Sequence, residues 1–130
     1  MLAGRILGLL LGLFYAANAF QMLADPVAWY AGIPGIEHTG PLNTHFVRDI
    51  GFAYGCSALA TAWGGWRLEA HWALAGASWP ALHAGFHLVE WAEHGLPEGA
   101  ALAGEALGVV LPALLGLALA AFLYRRHQPV

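Results

Sequence analysis

Five ionisable side chains crowd the stretch HAGFHLVEWAEH, residues 83–94. On a helix, His83, His87, Glu90 and His94 step by four, three and four and so share one narrow stripe. Trp79 extends that stripe, and Glu93 falls off it. A second stripe runs through His45, Asp49, Phe52 and Cys56. The pairs His83/His87 and His45/Asp49 each place two ligand atoms one helical turn apart, so each pair can address one ion. If the stripes face each other, His45, Asp49, His83 and His87 supply three nitrogens and one carboxylate. Such a set suits zinc, iron, manganese or copper. Glu90 and Glu105 are candidates for further oxygen ligands or for proton carriers. Arg48 can orient a carboxylate or receive an anionic substrate group. The Glu-x-x-His order of di-iron bundles is absent, because His87 precedes Glu90.

Two other readings stand beside the metal ion. Neutral histidines can hydrogen-bond one another, the glutamates and backbone carbonyls, which makes a polar core that fixes helix register. The same groups can pass protons, or hold a b-type haem between His45 and His83 or His87; haem ranks below a bare ion. Cys56 reads as a small buried apolar residue and Asn18 and Gln21 as bridges between helices. Glu37 and His38 read as solvated loop residues, and His71 and His127 as residues at headgroup level. Glu105, within ALAGEALGVV, needs either a partner or a proton.

These groups belong to a chain with little else that is polar. Of its 130 residues, 59% are apolar and 10% charged, and none is lysine. Soluble domains carry roughly 25% charged residues, so the composition points to an integral membrane protein of one domain, residues 1–130. A net charge of −3 and five scattered arginines leave no electrostatic footprint for nucleic acid. The single cysteine forbids an internal disulfide. No phosphate-binding glycine loop, serine-nucleophile motif or HExxH helix is present.

Four apolar stretches approach the ~20 residues that a bilayer crossing requires. They run at about 2–23, 46–66, 71–91 and 100–124. Between the first two, Asp25-Pro26 predicts the start of a short interfacial helix carrying Trp29 and Tyr30. A Gly/Pro-rich loop follows, then Asn43 or Thr44 as the cap of the second span. Ala17-Asn18-Ala19 resembles a signal-peptidase site. The four-residue spacing of Gly4, Gly8, Gly12 and Ala16 favours instead a retained, closely packed helix. Gly51/Gly55 and Gly104/Gly108 repeat the spacing. The expected fold is therefore all-α, a four-transmembrane-helix bundle with an interfacial helix in its first outer loop.

Arginines set the orientation. Arg5, Arg67, Arg125 and Arg126 fall at one end and none lies between residues 24 and 44. Both termini then face the cytoplasm. His45, Asp49, His83, His87, Glu90 and Glu105 then fall in the outer half. The partners implied are the lipid bilayer and a homo-oligomer or partner membrane subunit.

GPLNTHFVRDIGFAYG, with DPVAWY before it and ALHAGFH after it, resembles small uncharacterised bacterial four-helix membrane proteins of the DoxX-like group. Asn43, His45, Phe46, Arg48, Asp49, Gly51, His83 and His87 carry the likeness most specifically. The resemblance implies an inner-membrane four-helix bundle, in a group linked variously to quinone-coupled redox and thiol chemistry. Two functions are thus expected: a metal-dependent redox or hydrolytic membrane protein, or a non-enzymatic accessory subunit or small proton- or ion-coupled transporter.

The orientation is testable. A cysteine at Thr39, in a background lacking Cys56, should label with an impermeant maleimide in intact spheroplasts. Protection there, with labelling of a cysteine at Glu69, reverses the topology.

Overall fold

A computed structural model describes residues 1–126; His127 lies outside the described residues. The regular elements among the described residues are all helical: α1 (Leu2–Ala24), α2 (Pro26–Ala31), α3 (Thr44–Arg67), α4 (Ala70–His94) and α5 (Gly99–Arg126). A short 3-10 turn, Ile36–Thr39, sits in the α2–α3 loop.

Helix ends follow local chemistry. Asp25 caps α2, its Oδ1 accepting from the Ala28 N–H at 2.9 Å, with Pro26 in the first turn. Asn43 Oδ1 accepts from the His45 and Phe46 amides, both at 3.1 Å, and so satisfies two of the orphan donors at the start of α3. The loop is pinned by Tyr30, whose hydroxyl donates to the Gly40 carbonyl at 2.6 Å.

The long helices run antiparallel in chain order. α1 packs along α3, α3 along α4, α4 along α5, and α5 returns to α1. The α1–α3 seam is backbone against backbone. A Cβ on Gly8 would stand 2.5 Å from Gly65 Cα, and one on Gly12 would stand 2.7 Å from Ala62 Cβ. Small residues let the helices approach this closely. Thr61 likewise presses on Gly76 across the α3–α4 seam. Around these contacts lie Leu11, Tyr15, Met22, Val47 and Tyr54 toward the α2 end, and Leu68, Ala73, Leu119 and Leu123 toward the termini. Between α3 and α4, Leu68 adopts a left-handed conformation (φ 62) while its side chain stays buried. Burial in the second cluster offsets the roughly 1–2 kcal/mol which that conformation costs.

Several sequence expectations need correction. Two helices among the described residues, Leu2–Ala24 and Gly99–Arg126, are long and apolar enough to cross a membrane, rather than four. α3 and α4 have 24 and 25 residues, ample length, but their histidines and charged residues dilute their apolar character. The Gly104/Gly108 pair packs against nothing within 4 Å. Asn18 does not bridge helices: its Nδ2 donates to Phe14 O of its own helix at 3.0 Å. Cys56 is exposed rather than buried.

α5 is not uniform. Residues Ala106–Val110 form a π turn, in which the Leu111 N–H reaches back to the Ala106 carbonyl. Pro112 follows directly and has no N–H to offer Gly108, so a widened turn suits this place. The Pro112 carbonyl accepts from the buried Tyr15 hydroxyl at 3.0 Å, which ties α5 to α1.

Gly8→Leu should lower the thermal unfolding midpoint in detergent, because the seam cannot widen without parting α1 from α3; overpacking of this kind costs about 1–3 kcal/mol or more. Gly104→Ala, with open space around it, should leave the midpoint unchanged or raise it slightly.

Candidate functional site

The two stripes meet different fates. On α3 the inward face is Val47, Gly51, Tyr54, Ala58, Thr61 and Gly65. His45, Asp49, Phe52 and Cys56 lie on the opposite, exposed face. His45 Nε2 stands 3.4 Å from Asp49 Oδ2, with the side chains 88% and 56% exposed, so this pair is satisfied locally. The expectation that the two stripes face each other inside the bundle is therefore corrected. Small residues decided the matter: only the Gly51–Gly65 face lets α1 and α4 come close. Arg48 is exposed and makes no ion pair among the described residues, with neither Asp49 nor Glu90.

On α4 the stripe turns partly inward. His83, His87 and Glu90 are half-buried, and His94 is exposed. Glu90 pairs along its own helix with His94, Oε2 to Nδ1 at 3.6 Å. Glu93 is exposed. Glu90, Glu93 and His94 bring one ligand atom each within 4.8 Å of one another. Among the described residues no such trio is drawn from His45, Asp49, His83 and His87.

The shortest side chain–side chain hydrogen bonds among the described residues cross from α4 to α5. Glu105 Oε2 lies 2.8 Å from His87 Nδ1 and accepts from Trp91 Nε1 at 2.7 Å. His87 and Trp91 are one turn apart, so one carboxylate oxygen receives two donors from a single face. Glu105 is the last residue before the π turn. A π turn inside an α-helix often marks a functional position. Sequence reading found Glu105 and His87 separately. Trp91 is the partner that sequence reasoning misses, because an indole at the end of an apolar helix looks like an interfacial anchor; its spacing of four from His87 is the available signal.

Aromatic rings carry the site inward. His83 lies edge-on to His87 at 4.8 Å between centroids and stacks on Trp79 at 4.9 Å. Trp79 meets Tyr54 at 4.8 Å, and Tyr54 meets Tyr15 at 5.9 Å. Sequence reasoning passed over Tyr15 and Tyr54, because each looks like one more ring in an apolar run. Their signal was phase: both lie on the glycine-bearing faces of their helices.

Chemically, Glu105 orients His87. With Nδ1–H donated to the carboxylate, the lone pair of the imidazole is on Nε2, free to take a proton or a ligand. Removing the carboxylate leaves two ring N–H groups unpaired. Glu105→Ala should therefore destabilise the bundle by about 1–3 kcal/mol, the usual cost of an unsatisfied polar group. A thermal-unfolding cycle with His87→Ala and the double variant should give non-additive losses; strict additivity shows that the two side chains do not interact.

Comparisons with protein-family models, with curated proteins and with solved structures found no match to this chain.

Proposed function

We propose that this chain is a four-span bundle of a bacterial plasma membrane, with both termini cytoplasmic, and that it works as a non-enzymatic proton-handling module. Its site is His83, His87 and Glu105, opening to the outer side. The observation that carries this reading is the shared oxygen of Glu105, held by His87 Nδ1 at 2.8 Å and Trp91 Nε1 at 2.7 Å. An ionisable group in such surroundings is costly unless it is partnered and used. Here a carboxylate and an imidazole lie at proton-sharing distance, with His83 one turn deeper as a second acceptor.

Past His83 the path narrows to Trp79, Tyr54 and Tyr15, and the Tyr15 hydroxyl is engaged by Pro112. Toward the termini the interior is Ala, Gly and Leu, with Ser57 and Thr61 as its buried polar side chains among the described residues. That favours an accessory subunit that takes up and returns protons on one side over a through-transporter. The resemblance to DoxX-like proteins fits the same bundle.

A metal-binding reading keeps one specific support. A carboxylate bonded to one imidazole nitrogen is the usual way of aiming the other at a metal, and His83 stands beside His87. The ligands would then be His83 and His87 with a carboxylate, and His45 and Asp49 would take no part.

Proteoliposomes separate these readings. With a pH gradient imposed, the gradient should persist. Nitrogen-15 signals of His83 and His87 should follow outer pH and ignore inner pH; signals that follow inner pH overturn the module reading. Elemental analysis decides the metal. Stoichiometric zinc, iron or copper that is lost in His83→Ala and His87→Ala, but kept in His71→Ala, selects the metal reading. Alkaline carbonate extraction that releases the chain from membranes defeats both.

A further inference from the structure

The outside of the α1–α3 seam carries an apolar groove of about 430 Å³. Leu9, Leu13 and Ala16 form one wall, and Leu59, Trp63 and Trp66 form the other. From Leu59 to Trp66 it follows α3 for roughly 10 Å at about 1.5 Å per residue. It exists because Gly12 and Ala62 meet at its floor, where larger side chains would have filled the trough.

Two guanidinium groups close its terminal end. Arg5 lies over the Trp66 ring, 5.5 Å from the centroid, and Arg67 over the Trp63 ring at 5.7 Å. The indoles that wall the groove thus also hold the arginines at its mouth. Glu69 takes one side of Arg67, Oε1 to Nε at 3.6 Å. Arg5 makes no ion pair among the described residues. The mouth therefore keeps an unpaired positive charge, at the end of a trough shaped for hydrocarbon.

We propose that this groove holds one acyl chain of an anionic phospholipid, with its phosphate between Arg5 and Arg67. The inference rests on the membrane reading above. Charge complementarity selects the occupant: a zwitterionic lipid would bring its own cation to the same mouth, and a second copy of this chain would bring a second Arg5. A basic side chain near an anionic headgroup is worth roughly a five-fold preference.

The test uses the full chain in detergent, with native mass spectrometry against phosphatidylglycerol and phosphatidylcholine of identical acyl chains. One retained phosphatidylglycerol per chain, in preference to phosphatidylcholine, is expected. The pair R5Q and R67Q should remove the preference, and Ala16→Phe, which fills the groove and spares the arginines, should reduce retention of both lipids. R125Q, away from this groove, should change nothing. Equal retention of the two lipids, a preference that survives R5Q with R67Q, or a dimer in place of the lipid adduct each overturns the proposal. Carbonate extraction keeps the two levels apart: a chain that stays in membranes but shows no lipid preference defeats the groove alone.

Discussion

A carboxylate on an otherwise apolar helix cannot stand alone, and much of this fold is arranged around Glu105. Its two donors sit one turn apart on α4, so α4 and α5 are locked in rotation as well as in distance. With those two helices facing, Ala77 meets Gly116, and Tyr15 reaches across from α1 to the Pro112 carbonyl. The polar contact and the small-residue seams are thus complementary constraints. The seams set how close the helices come, and the Glu105 contact sets which side of α4 looks at α5.

Helix existence and helix ends were legible in the sequence, because both rest on local chemistry. Asp25-Pro26 and Asn43 supply caps wherever the chain goes, and Gly40-Pro41 interrupts any helix. The facing of α3 was not legible. Its two stripes, one through His45 and Asp49 and the other through Gly51, Tyr54 and Ala58, have the same period. Periodicity finds a face without saying whether it turns inward. Polarity drew attention to the first stripe, yet close packing required the second, where glycine and alanine admit a neighbouring backbone. His45 and Asp49, being adjacent turns of one helix, satisfied each other and needed no partner across the bundle.

The site was half legible. His83, His87 and Glu105 were each marked by type and setting. Their pairing depended on the register between α4 and α5, which no local segment encodes. Trp91 shows the same limit: an indole at a helix end reads as an interfacial anchor until a neighbouring helix offers it an acceptor.

The π turn at Ala106–Val110 makes α5 a helix with a joint in its phase. One extra residue in a turn rotates everything beyond it by about 100°, given 3.6 residues per α-helical turn. Leu119, Ala120 and Leu123 are indexed to the buried cluster near the termini, while Glu105 is indexed separately to His87 and Trp91. A plain α-helix would have to compromise between the two bearings. With the joint, both bearings are met by one continuous helix: the residues near the termini face the core while the carboxylate faces α4.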